Sequence, residues 1–122
     1  MPYLPGEIVY AKMYDPDGYT CVQSHRAVVV SVNEPQAAVL IVGITGSFSE
    51  DHPWYWIELP FASDGHPVTG LTKPSVAKGN WFMWWAMSGI EPTGKHVPLD
   101  ELEQIKTAVV YVLDKKKKGE PL

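Results

Sequence analysis

Cysteine and arginine are nearly absent from this chain: Cys21 is its single cysteine and Arg26 its single arginine among 122 residues. One thiol excludes an internal disulfide framework and a cysteine-rich zinc site. No apolar run approaches the roughly 18 residues that a membrane-spanning helix needs. Met1-Pro2-Tyr3-Leu4-Pro5-Gly6-Glu7 has neither the basic region nor the apolar core of a secretory signal. A cytoplasmic protein without a membrane partner is therefore expected. Neither GxxxxGK nor GxGxxG occurs, so no phosphate loop is present. His25, His52, His66 and His96 are scattered over separate stretches, and no pair has metal-ligand spacing. No metal site and no cofactor are expected. Cys21 stands in a loop with no nucleophile pattern around it. The formal net charge of −4 disfavours a general nucleic-acid coat, whose affinity would come from phosphate neutralisation, but it allows a local basic site.

What is present reads as one mainly β domain. Apolar residues make up 45% of the chain, enough for a real core. Glu7 to Tyr14 forms a first strand, stopped by the turn chemistry of Asp15-Pro16-Asp17-Gly18. Arg26 to Val32 and Ala37 to Thr45 are nearly continuous apolar runs joined by Asn33-Glu34-Pro35-Gln36, which reads as a hairpin buried on both faces. Trp54 to Leu59 is a short aromatic strand. A fifth strand follows Pro74 and continues to Met87, with a bend or bulge at Gly79. Gly89, Pro92 and Gly94 then break the pattern. Leu102, Ile105, Val109, Val112 and Leu113 recur at helical spacing, predicting an amphipathic helix from Leu99 to about Asp114. Asp100 and Glu101 at its start, and the lysines after its end, suit the helix dipole, although Val97 and Pro98 are poor caps. About five short strands and one helix point to a small SH3-like β-barrel with the helix laid against it. The domain spans 1–114, and a lysine-rich tail occupies 115–122.

The polar residues give several candidate constellations. Arg26 opens an apolar strand, either as a snorkelling surface charge or as a phosphate ligand through its planar fork. His25 beside it carries an imidazole, a side chain suited to proton transfer, but adjacent strand residues face opposite sides. Thr45 and Ser47 end the third strand, where hydroxyls satisfy turn backbone or hold phosphate and ribose. Lys78 and Asn80 are two apart, so they point the same way beside the run Trp81-Phe82-Met83-Trp84-Trp85. In that run Trp81, Met83, Trp85 and Met87 share one strand face and Phe82 and Trp84 the other, as in a core strand with a subunit interface. Asp15 and Asp17 read as turn formers.

Taken in order, these pieces resemble the PemK/MazF family of toxins. Gly6-Glu7-Ile8-Val9, Asp15-Pro16, His25-Arg26-Ala27-Val28-Val29-Val30-Ser31, Val42-Gly43-Ile44-Thr45 and Gly70-Leu71-Thr72-Lys73-Pro74-Ser75-Val76 each resemble a family segment, and the terminal helix from Leu99 fits as well. The resemblance implies an SH3-like barrel, a homodimer, a small acidic antitoxin partner and metal-independent cleavage of single-stranded RNA. It puts the family's arginine on Arg26, its hydroxyls on Thr45 and Ser47, and its Arg-x-Asp pair on Lys78 and Asn80. It thus implies Arg26, Lys78 and His25 as catalytic residues and Thr45, Ser47 and Asn80 as substrate-binding ones. Here the chain departs from the pattern. An amide has no usable basic site near neutral pH, and lysine lacks the bidentate fork. Either His25 or a nearby loop group takes over proton transfer and cleavage survives, or the barrel binds RNA or an antitoxin but cuts poorly.

Overall fold

The computed structural model describes residues 3–14 and 24–122. The Asp15–Gly18 turn and Cys21 lie outside the described residues. Six strands and one long helix follow in order: β1 Glu7–Ala11, β2 His25–Asn33, β3 Ala38–Thr45, β4 Trp56–Leu59, β5 Ser75–Ala86, β6 Ile90–His96 and α1 Leu99–Lys118. The strands form one antiparallel sheet in the order β4-β5-β3-β2-β1-β6. The expected mainly β class and terminal helix are present, but among the described residues the sheet is open, with β4 and β6 as its edges.

The sixth strand is the element that the residue pattern hides. Pro92 and Gly94 argue against a strand in general, yet both are tolerated at an edge. β6 pairs only with β1, and its register slips between Ile8, opposite Lys95, and Val9, opposite Pro92. The bulge takes up Thr93 and Gly94, while Pro92 stays in the ladder opposite Val9.

The β2–β3 hairpin is buried on both faces, as the unbroken apolar runs require. Ile8, Val28, Val30, Val42, Ile44, Ile57 and Ala77 pack under α1. The opposite face gathers Val9, Ala11, Ala27, Val29, Val39, Ile41 and Trp81, with Met83, Trp85 and Met87 partly buried against them. The aromatic run therefore divides by alternation: Trp81, Met83 and Trp85 join the second core, Phe82 packs on the first, and Trp84 is exposed.

The helix buries Leu102, Ile105, Ala108, Val109 and Val112. Each Leu, Ile or Val so covered contributes about 1.5–3 kcal/mol relative to exposure. Leu113 lies off this stripe and is exposed. The helix also runs past Asp114 through all four lysines, four residues beyond the expected end. Lysines are favoured at a negative helix terminus, Lys118 pairs with Asp114 at 3.1 Å, and Gly119 closes the helix in the left-handed region at φ 69°. At the start, Pro98 gives no side-chain cap.

Two glycines set the close approaches that shape the centre of the sheet. A Cβ on Gly43 would lie 2.1 Å from the Trp81 ring, and one on Gly79 would lie 2.3 Å from the Tyr55 carbonyl oxygen and 2.6 Å from Ala108. Between the pairs Val42–Phe82 and Ile44–Ala77, the single residue Gly43 faces the stretch Lys78 to Trp81 of β5. Gly79 sits in this bulge, as its place inside a strand suggests.

Candidate functional site

β2 carries His25 and Arg26 at its first two positions, opposite Ala11 and Tyr10 of β1. Strand alternation sends their side chains apart. The Arg26 guanidinium lies over the Tyr10 ring, 5.5 Å from its centroid. The His25 ring meets Trp81 edge-on at 5.0 Å. The two residues nevertheless line one cavity of about 230 Å³, together with Tyr10, Gly46, Lys73 and Ser75.

Lys73 enters this cavity from the loop before β5. Its aliphatic chain crosses Gly46 so closely that a Cβ there would lie 2.8 Å from Cε. Ser75 is buried, and its hydroxyl donates to the Lys73 carbonyl at 3.1 Å, which fixes the backbone beneath that lysine. A rigid planar cation and a mobile ammonium thus share one small polar cavity, a combination suited to a phosphate group.

The His25 tautomer follows from its hydrogen bond to the neighbouring backbone. Nδ1 lies 3.1 Å from the Arg26 carbonyl oxygen. A carbonyl only accepts, so Nδ1 carries the hydrogen, and a neutral ring keeps its lone pair on Nε2. That nitrogen is the proton acceptor available to the site.

Lys78 and Asn80 point the same way, as their spacing predicts, and both engage Trp56. The Lys78 ammonium lies 4.4 Å from the Trp56 ring centroid, and the Asn80 side-chain oxygen accepts the Trp56 indole N–H at 2.8 Å. Burial pushes the Lys78 pKa below its ordinary 10.5. His52 also stacks on Trp56, with ring centroids 6.3 Å apart and the rings 12° from parallel. His52 is held at both nitrogens: Nδ1 donates to the Pro53 carbonyl at 2.9 Å, and Nε2 meets Glu58 at 3.0 Å. The hydrogen bond to Glu58 is the main cause that raises its pKa above the ordinary 6.5. Neither Lys78 nor Asn80 lines the Arg26 cavity. Thr45 uses its hydroxyl to accept the Ser47 backbone N–H at 3.1 Å, closing the turn after β3, and Ser47 is exposed beside it. No group of three or more His, Cys, Asp or Glu residues positioned for a metal occurs among the described residues, and no helix among them is long and apolar enough to cross a membrane.

Known structures share this arrangement of sheet and helix. The chain superposes on crystalline MazF from Deinococcus radiodurans with a TM-score of 0.70 at 16% identity, covering 93% of this chain and 98% of that one. The fold is that of MazF. Two crystal forms of MazE–MazF from the same organism match with TM-scores of 0.64 at 18% identity, covering 93% of this chain and 96% or 98% of theirs. No family model matches the chain, and no curated protein matches it in sequence.

On this MazF fold the residue pattern singled out Arg26 and His25 and passed over Lys73, Tyr10 and Ser75. The available signal for Lys73 was its place inside the Gly70–Val76 segment that carries the resemblance. His52 and Trp56 were also missed, because a scattered histidine and an aromatic strand show no pairing until β4 lies against β5.

Proposed function

We propose that this chain is a toxin-type endoribonuclease that cleaves single-stranded RNA by internal transesterification. The observation that carries this reading is the cavity in which Arg26 and Lys73 stand together with His25. The scissile phosphate binds the two cations. His25 Nε2 takes the proton of the ribose 2′-OH, and the 2′ oxygen forms its bond to phosphorus. The P–O5′ bond then breaks, and the leaving oxygen takes a proton from the Lys73 ammonium. Arg26 stabilises the charge that builds on the phosphorane oxygens. The products are a 2′,3′-cyclic phosphate and a 5′-hydroxyl.

The remaining candidates have supporting parts. Lys78 adds positive potential along the strand path. Thr45, Ser47 and the two amide N–H donors of Asn80 hydrogen-bond ribose or base. The solved MazE–MazF structures support a protein antitoxin as partner, and an acidic segment complements the two cations. A second copy of the chain completes a homodimer, supported by exposed Trp84 and Leu4, which line one surface cavity.

Incubation with mixed-sequence single-stranded RNA in EDTA tests the reading. Cyclic-phosphate ends that disappear in Arg26→Ala and Lys73→Ala support it. Absence of product, or an Arg26→Ala protein indistinguishable from the wild type, overturns it. One observation favours a second reading, binding without cleavage: the Asn80 amide has no basic site, and its oxygen is already engaged by Trp56. Growth arrest on expression that is relieved by Arg26→Ala argues against that alternative.

A further inference from the structure

Next to the phosphate-sized cavity lies a larger one of about 610 Å³, lined by Phe48, Phe61, Glu50 and Glu58 together with Gly46 and Lys73. Gly46 and Lys73 line both cavities, so the two adjoin at these residues. The larger one combines aromatic rings, carboxylates and one ammonium. Its walls are also organised. Phe48 packs edge-on against His52 at 5.6 Å, and His52 is bonded in turn to Glu58. Phe61 is exposed, and Glu50 has no ion-pair or hydrogen-bond partner among the described residues.

We infer that this second cavity is a nucleobase subsite in which Phe48 and Phe61 stack the base and the Glu50 carboxylate selects guanine. The inference rests on the proposed reading of the Arg26–Lys73 cavity as a phosphate site. Aromatic faces stack any base and set no preference. An ionised carboxylate only accepts hydrogen bonds, so it requires donors on the base. The Watson–Crick edge of guanine offers two adjacent donors, N1–H and the N2 amino group, that match the two oxygens of one carboxylate. Cytosine and adenine each offer one amino group there. Uracil offers a single N–H between two carbonyl oxygens, which a carboxylate repels. Glu58 already gives one oxygen, Oε2, to His52, whereas Glu50 keeps both for the base. Lys73 then spans the base and the adjoining phosphate, linking specificity to the position of the cut.

The test measures equilibrium binding of non-cleavable 2′-O-methyl oligonucleotides, uridine tracts with one central G, C, A or U, to the full chain and to its Glu50→Gln and Phe48→Ala forms. The expected order is G tightest, C and A between, and U weakest. Glu50→Gln should shrink the preference for G over U by about tenfold, the size of one good bidentate base contact. Phe48→Ala should weaken all four about equally. Equal binding of G and U, or a preference untouched by Glu50→Gln, overturns the subsite, as does failure to bind any of the four. Binding with the stated order but no cyclic-phosphate product from natural RNA leaves the subsite standing and removes the nuclease reading. Cleavage without base preference does the reverse.

Discussion

Two cationic regions lie a few residues apart in this molecule, and they engage their charge to different degrees. Arg26 and Lys73 face a shared polar cavity, with Arg26 5.5 Å from the Tyr10 ring centroid, while Lys78 lies half-buried and closer, 4.4 Å from the ring centroid of Trp56. A cation over an indole face is already compensated, by about 0.5–2 kcal/mol depending on desolvation. Moving such a cation to a substrate forfeits that contact. The same holds for Asn80, whose oxygen already accepts the Trp56 N–H. Charge in the right neighbourhood is therefore a poor guide to function, and the partner a group already has is a better one.

The sharpest separation of the two regions is kinetic. Arg26→Ala should lower kcat/KM for RNA cleavage by about 10²–10³-fold, the typical loss of one group that stabilises transition-state charge. Lys78→Met, which keeps the length of the chain over Trp56, should lower it by less than about tenfold, since a group remote from the reacting charge contributes only through screened potential. Initial rates on one RNA measured at two salt concentrations decide this. Equal losses from the two substitutions would place Lys78 in the same machinery as Arg26.

The residue pattern revealed the first region only in part. Arg26 and His25 were legible because one arginine and a neighbouring histidine at the mouth of a buried strand are conspicuous. Lys73 was not, because it lies in a loop where no periodicity applies, and only the β3–β5 pairing carries it across Gly46. The six-stranded sheet was legible as five strands for a similar reason: Pro92 and Gly94 mark breaks unless the strand is known to be an edge. Closure of the sheet was not legible at all, since strand count and patterning do not determine which edges pair. The apolar spacing predicts the buried stripe of the helix apart from Leu113, which is exposed, and places the end of the helix four residues short. The lysine run looked like a tail, when four positive charges at a helix C-terminus favour continuing to Gly119.

The next largest effect should fall on stability, on the Trp56 and Trp81 side. Gly43→Ala puts a methyl where the Trp81 ring lies, and the Trp81 indole N–H is itself tied to the Tyr14 carbonyl at 2.6 Å. The ring cannot withdraw without breaking that bond. Urea unfolding should show a loss of about 1–3 kcal/mol, the usual cost of overpacking. A neutral outcome would mean that Trp81 has room to move, and that this face is looser than the Arg26 cavity. Asn80→Ala should cost less, about 0.5–1.5 kcal/mol, because it removes one hydrogen bond and leaves the Trp56 N–H without that acceptor.

The smallest effect is a titration, and it tests whether Glu58 holds the His52 ring that stacks on Trp56. His52 stacks on Trp56, and its two ring nitrogens both face acceptors, a carboxylate and a carbonyl. Only the imidazolium can donate to both, so folding favours the charged ring and raises its pKa, chiefly through Glu58. A base whose folded pKa lies above its unfolded value of about 6.5 stabilises the fold fully below that value. The contribution fades as pH rises through the folded value. NMR titration of His52 should therefore give a midpoint above the ordinary one, and Glu58→Gln should lower it while flattening the pH dependence of stability across that window. A midpoint unchanged by Glu58→Gln would show that the carboxylate does not hold the imidazolium, and would leave the Pro53 carbonyl as the acceptor that orients the ring stacked on Trp56.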